Sequence, residues 1–334
     1  MIGYYAHHHG SGHVARAASI AAELDEPMTV LSSRTRSSEH AHLDWLTLPL
    51  DLDSTAMGDR ASDLDPTASG VVHWAPIGVR GLTERMAMIA EWVARTRPRL
   101  IVVDVSVEVA LFVRLLGVPV VTVAMPGDRT DEQHQLVYRI ATAIIAPWSN
   151  NVYDPASLHA FSTKTTYVGS ISRFDGRPRT SNATTEPIVF VLGGAGGTSL
   201  TKKDVDEAAE LNSEYTWTAA GLDAQTWIDD VWPHLCAASV VITHAGQNAL
   251  ADVASAAVPA VVVPQDRPYG EQDATADALA GAGVAVVAPS WPSPDRWRTL
   301  LADAVRLGSS GWHRVEASGA ARRAARLLSE TAVG

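Results

Sequence analysis

The chain of 334 residues is short of cysteine, of positive charge and of long apolar runs. Its one cysteine, Cys236, excludes an intrachain disulfide and fits a reducing compartment. In its Ala-rich setting that thiol reads as a small core residue. Lys and Arg number 26 against 37 Asp and Glu, a formal net charge of −11. Such a balance argues against a nucleic-acid groove, which gathers cations along phosphates. It leaves small anionic ligands open, because local dipoles can hold them. No uninterrupted apolar stretch reaches the roughly 20 residues that span a bilayer. The start, MIGYYAHHHGSGH, lacks the basic opening and longer apolar centre of a signal peptide. The expectation is therefore a cytoplasmic protein without a transmembrane segment, peripheral membrane contact remaining compatible.

What is present is an Ala-, Val- and Gly-rich α/β pattern, 46% hydrophobic, of a length that suits two domains. The organising stretch is Ser239 to Pro264, SVVITHAGQNALADVASAAVPAVVVP. It predicts a buried strand over 240–242, a turn with His244 and Gly246, a helix from about Gln247 to Ala257, and a second buried strand over 261–263. Such a turn leaves the first helical N–H groups open at the carboxyl edge of a parallel sheet, where they attract phosphate. Most such units serve structure alone. His244, Asn248, Asp252 and the downstream Glu271-Gln272 pair single this one out.

From the amino terminus, a strand over 1–6 enters HHHGSGHVARAASIAAEL, where Gly10 and Gly12 suit a tight turn before a helix. The match to G-x-G-x-x-G is incomplete, with Ala15 at the third position, so a nicotinamide cofactor is weakly signalled. His7, His8 and His9 are consecutive on an extended segment and alternate in direction, which argues against one shared ion. Strands follow near 28–32 and 45–48. The acidic run from Asp51 to Ser69 reads as a mobile loop, and its Asp51/Asp53 and Asp63/Asp65 pairs as D-x-D matches outside the buried-strand context that metal sites use. A helix over 79–96 ends before Pro98, and Asp104 closes the strand over 100–103. There it suits either a functional site or the cap of a helix over 107–116. A strand over 118–124, a helix from Asp131 carrying His134, and short strands at 144–146 and 167–168 complete the first half.

Between Gly169 and Pro187 the composition turns to that of a linker. A fresh strand over 188–192 then feeds the glycine-rich Gly193 to Ser199, whose backbone can approach a ligand closely. No G-K-[ST] closes it, so it is not a Walker loop. The basic Arg322, Arg323 and Arg326 of a last helix read as a solvated face.

Gly10-Ser-Gly-His13, Val168-Gly169-Ser-Ile-Ser-Arg173, Gly193 to Ser199, and His244 through Gln272, in that order, resemble the two-domain GT-B glycosyltransferases. Within them the likeness is to the branch with the bacterial lipid-linked N-acetylglucosaminyltransferase of peptidoglycan synthesis and related UDP-sugar transferases. The resemblance implies two Rossmann-like domains with parallel sheets facing across a cleft. It implies an acceptor domain over 1–168, a linker over 169–187, a nucleotide-sugar domain over 188–310, and a terminal helix over 311–334 packing back on the first domain. Carried over by position, Gly194, Gly196, Gly197, Thr198 and Ser199 would lie against the phosphates, and Arg173 would reach the nucleotide. Asp252 stands where the family usually has Glu for the ribose hydroxyls. His244, Gly246, Gln247 and Asn248 would face the diphosphate, while Glu271 and Gln272 would contact the sugar. Glu271 replaces the first of the relative's paired glutamines, which opens the sugar's identity. Gly12 and Arg16 belong to the acceptor side, where the sequence departs from the relative's.

The implied activity is an inverting transfer from a nucleotide-sugar, UDP-linked by resemblance, to an acceptor hydroxyl on a small molecule, glycan or lipid carrier. His13 is the candidate base, with Asp104 to orient it. Neither cofactor nor metal is expected, since helix N-termini and Arg173 can hold the leaving diphosphate. Two other readings share the residues. One is a nucleotide-sugar hydrolase or 2-epimerase on the same scaffold, favoured by GSGHVAR at 10–16; the other is a non-catalytic nucleotide-sugar-binding subunit.

Overall fold

A computed structural model of the chain describes residues 1–8, 10–52, 60–180, 186–194, 198 and 200–331. Seven strands, β1 (Ile2–Ala6), β2 (Met28–Ser32), β3 (Asp44–Thr47), β4 (Leu100–Asp104), β5 (Val120–Val123), β6 (Ala143–Ala146) and β7 (Thr165–Tyr167), form one sheet in the order β3-β2-β1-β4-β5-β6-β7. Five more, β8 (Ile188–Leu192), β9 (Thr216–Ala220), β10 (Val240–Thr243), β11 (Ala260–Val262) and β12 (Val286–Val287), form a second in the order β12-β11-β10-β8-β9. Every pairing in both is parallel. Helices cover both faces of such sheets, so central strands carry apolar residues continuously instead of alternating. β1, β4 and β10 are buried along their whole length.

The first-lobe helices are α1 (Gly12–Ala21), α2 (Arg80–Thr96), α3 (Val107–Leu115), α4 (Glu132–Ile140) and α5 (Ala156–His159). The second lobe has α6 (Lys202–Leu211), α7 (Trp232–Ala237), α8 (Gln247–Ala256), α9 (Glu271–Gly281) and α10 (Trp297–Leu307), and α11 (Ala320–Glu330) ends the chain's regular structure. Local chemistry sets several boundaries. Ser106 and Asp131 cap α3 and α4 by accepting from the N–H groups of Val109 and His134. At the start of α6, Thr201 and Asp204 cap reciprocally. α2 stops at Arg97, in the left-handed region with φ 46°, and Pro98 follows.

α11 returns to the first lobe. Its Ala320, Ala321, Ala324, Ala325 and Leu328 are buried in the same apolar cluster as Ile2 and Tyr4 of β1 and Val14 and Ala17 of α1. The chain thus passes between lobes twice, and the two passages are bonded side by side. Ser170 N–H donates to the Val315 carbonyl at 3.0 Å, and Gly319 N–H donates to Asp175 Oδ2 at 2.7 Å. At Gly169 (φ 80°) a Cβ would run into the Glu316 carbonyl, so only glycine lets the passages touch. Arg323 is not part of a solvated face. Its guanidinium donates to the carbonyls of Val168, Ser318 and Glu316, pinning α11 to the linker. Arg322 and Arg326 are exposed and pair with Glu23 and Glu330.

Asp51, expected in a mobile loop, is buried and ion-paired with buried Arg85 at 2.6 Å. Asp53 lies outside the described residues. Asp65 accepts from Ser69 N–H and Asp63 from Ser62 Oγ, so this second D-x-D is taken up by its own turn.

Candidate active site

In each sheet the strand order reverses once, between β1 and β4 and between β8 and β10. At such a reversal the following turns diverge and leave a crevice at the carboxyl ends of the strands. A cavity of about 250 Å³ there is lined from both lobes, by Gly10, Gly12, His13 and Arg16 on one side and Gly194, His244, Gly246 and Asp252 on the other.

On the first-lobe wall, Gly10 (φ 69°) turns the chain into α1, which presents His13 on its first turn. His13 Nδ1 lies 2.9 Å from Asp104 Oδ1. Asp104 is fully buried at the end of β4 and accepts from three directions: Tyr4 Oη at 2.7 Å, His13, and Arg16 Nη1 at 2.9 and 3.0 Å to its two oxygens. Burial alone would raise its pKa, but the Arg16 guanidinium, His13 and the hydrogen bonds hold it down at about 2. A permanent carboxylate at Nδ1 keeps a proton there, leaving Nε2 with the lone pair. Asp104 does not cap α3; Ser106 does. Residue Val105 between them has φ 65°, unusual for a β-branched side chain, so the turn that carries Asp104 is strained.

On the second-lobe wall, α8 begins at Gly246, which offers no side-chain cap, so the first N–H groups of the helix remain open. Gly246 N–H donates to His244 Nδ1 at 2.9 Å, which puts the ring proton on Nε2. Burial, then the charge of Arg267, lowers the His244 pKa to about 4. The imidazole is thus a neutral N–H donor, and it sits against Gly194, where an added Cβ would come within 2.6 Å of Nε2. Asp252, buried in α8, accepts from Ser172 Oγ at 2.8 Å and Arg173 Nε at 3.2 Å. Burial raises its pKa to about 6 against the pull of Arg173.

Gln272 Oε1 accepts from the N–H groups of Ala245 and Gln265, so this buried amide braces two loops beside the crevice. Glu271 lines the crevice 3.5 Å from Arg129 Nη2, and burial raises its pKa. Thr198 is turned to an adjoining hollow with Gln265 and Asp266, where Gln265 Nε2 donates to its hydroxyl. Gly196, Gly197 and Ser199 lie outside the described residues, as does His9.

Two residues expected to face a diphosphate also join the lobes. Gln247 Oε1 accepts from Arg16 Nη2 at 2.7 Å, and Asn248 Nδ2 donates to the Gly12 carbonyl at 3.1 Å. Gln247 Nε2 is buried without a protein acceptor. Sequence reasoning missed Tyr4, Ser172 and Arg267. Ser172 stood inside the quoted linker motif and Arg267 in the loop before Glu271, so position alone could have raised both; nothing in the sequence marks Tyr4, which is one buried strand residue among five.

Residues 188–292 match the model of the glycosyltransferase family 28 C-terminal domain. Among curated proteins none matches the sequence. The fold is similar to that of the kitacinnamycin glycosyltransferase, with a TM-score of 0.70 at 15% identity over 99% of this chain and 98% of that one. The calicheamicin glycosyltransferase CalG4 gives 0.69 at 16% identity over 99% and 98%. MurG of Acinetobacter baumannii gives 0.64 at 16% identity over 98% and 99%. The chain therefore has the GT-B fold of glycosyltransferases, two parallel-sheet lobes about a crevice, and carries a family 28 C-terminal domain in its second half.

Proposed function

We propose that this protein transfers a sugar from a nucleotide-sugar, UDP-linked, to an acceptor hydroxyl with inversion and without a metal ion at the diphosphate. The observation that carries the reading is the His13–Asp104 pair at 2.9 Å, set in a crevice whose opposite wall is the open N-terminus of α8 with His244. In the reaction, His13 Nε2 takes the acceptor's hydroxyl proton as that oxygen bonds to the anomeric carbon. The bond from that carbon to the diphosphate oxygen breaks, and the diphosphate leaves with the electron pair. One displacement from the face opposite the leaving group inverts the centre.

The departing charge meets the α8 N–H groups, the Nε2–H of His244 and the buried Nε2 of Gln247, with Arg267 on the same wall. Preorganised donors in a half-enclosed site stabilise developing anions at little reorganisation cost. This supports a reading without metal at the leaving group. Asp252, held by Ser172 and Arg173, is the acceptor proposed for the ribose hydroxyls, and Glu271 and Gln272 are the side chains proposed for the sugar.

The test pairs binding with turnover. A thermal-shift panel of UDP, TDP, GDP and CDP sugars is expected to respond to UDP-sugars, because a ligand bound only by the folded state raises its stability. With the responding donor and an acceptor panel, His13→Ala is expected to lower turnover about 10²- to 10⁴-fold while leaving UDP affinity unchanged. Unchanged turnover would remove His13 as the base. Rapid nucleotide release without acceptor would replace transfer by hydrolysis.

A further inference from the structure

Away from that crevice, the first lobe holds a second cavity of about 400 Å³ beyond the ends of β1, β4 and β5, with His73 and His134 on its wall. There three side chains from two segments converge. His73 comes from the loop between β3 and α2, Asp131 is the cap of α4, and His134 stands on the first turn of that helix. His134 Nδ1 lies 2.6 Å from Asp131 Oδ2, and His73 Nε2 lies 3.3 Å from Asp131 Oδ1. Two imidazole nitrogens thus aim at the two oxygens of one carboxylate. The ring centroids are 4.6 Å apart, and one ligand atom from each residue falls within 4.8 Å of the others.

We propose that His73, Asp131 and His134 bind a divalent transition-metal ion of the zinc class. Two imidazoles and a carboxylate are the nitrogen and oxygen donors such ions favour, and three protein ligands leave a fourth position for water. Bonds of about 2.0–2.1 Å in a tetrahedron set ligand atoms about 3.4 Å apart. Asp131 and His134 are held one turn apart at the start of α4, so an entering ion has to open their 2.6 Å contact and draw the three ligand atoms to an even spacing. The Tyr269 hydroxyl, 3.2 Å from His73 Nε2, offers a polar neighbour to the fourth position.

The surrounding charge is balanced. Arg129 Nη1 stands 3.4 Å from His134 Nε2 and opposes a cation, but Glu271 faces that same guanidinium. Glu108 adds a second carboxylate by accepting from the N–H groups of His73 and Trp74. The ion would tie the 73–74 segment to α4 within the first lobe and would touch none of the groups assigned to the leaving diphosphate. The three ligands are not among the residues proposed for the base, the leaving group or the sugar, although Glu271 reaches their surroundings through Arg129.

The experiment uses the full chain, stripped with chelator, titrated with Zn²⁺ by calorimetry and with Co²⁺ by visible absorption. One equivalent is expected, with Co²⁺ bands of a low-coordinate site. His73→Ala and His134→Ala should each weaken binding more than the about 100-fold that loss of an outer-shell partner can cost. Asp131→Asn retains an oxygen to cap α4 and should still lose affinity, which separates ligation from folding; circular dichroism without metal checks each variant. His159→Ala, altering an exposed ring, should bind as the wild type does. Absence of saturable binding overturns the proposal. Binding that survives the His73 and His134 changes, or that follows His7→Ala and His8→Ala instead, overturns it equally.

Discussion

Two buried aspartates, Asp252 in the crevice wall and Asp104 behind His13, have pKa values shifted in opposite directions, and their partners explain why. Asp104 accepts from Tyr4, His13 and buried Arg16, whose Nη1 is shared between both carboxylate oxygens, enough to outweigh its burial. Asp252 has the Ser172 hydroxyl and the backbone and side chain of Arg173, whose side chain is 38% exposed, and these do not offset its burial, so desolvation wins. The signs follow. The depressed Asp104 contributes stability that is full above the unfolded value near pH 4 and is lost as pH falls toward about 2. For the raised Asp252 the charged form is disfavoured in the fold, so stability declines as pH rises from about 4 through about 6. Denaturant unfolding at pH 4 and pH 7 is expected to show wild type losing roughly 2–3 kcal/mol relative to Asp252→Asn across that interval. Equal pH dependence of the two proteins would mean that Asp252 is not perturbed in the fold. Gly194 supports a second residue-level prediction. A methyl there would sit 2.6 Å from His244 Nε2 and push the ring off its Gly246 bond, so Gly194→Ala should weaken UDP binding at least about tenfold by calorimetry.

At the scale of elements, the turn Pro126-Gly127-Asp128 and the loop before α9 interlock. Gly127 has φ 91°, and a Cβ on it would meet the Tyr269 carbonyl, which accepts from Asp128 N–H at 2.9 Å. The Tyr269 ring lies 4.2 Å beneath the Arg129 guanidinium and edge-on to His134. Gly127→Ala should therefore cost at least about 1–2 kcal/mol from the left-handed backbone alone, read by thermal unfolding, and should separate the two loops. Most elements were legible because parallel strands are apolar throughout and their turns are rich in glycine. The β10–α8–β11 unit and the β4 strand ending in Asp104 follow directly from that pattern. Pairings across sequence distance were not. Nothing in the local sequence says that Asp51 meets Arg85, that Arg16 reaches Gln247, or that His73 lies beside His134, because those segments meet only once the strands are ordered in the sheets and the two lobes are packed together. Arg323 misled for the same reason: a basic run on a helix looks solvated until the linker it clamps is in place.

For the whole molecule, the terminal helix is structural, completing a core that it does not share in sequence. Removing residues 319–331 would uncover the apolar face of α1 and the edge of the first-lobe cluster. A chain cut before Gly319 should express as aggregated protein or, if soluble, bind a hydrophobic dye that the intact protein does not; a clean monomer with unchanged melting would show α11 to be dispensable. The contacts from Arg16 to Gln247 and from Asn248 to Gly12 join the two walls of the crevice. Arg16→Met should strip Asp104 of its main counter-charge and destabilise the fold by about 3–5 kcal/mol, measured by denaturant titration. The doubled passage between lobes has a mechanical consequence. Because the two connecting segments are bonded to each other at Gly169 and Gly319, any swing of one half against the other has to bend both together, as a door on paired pins moves both at once.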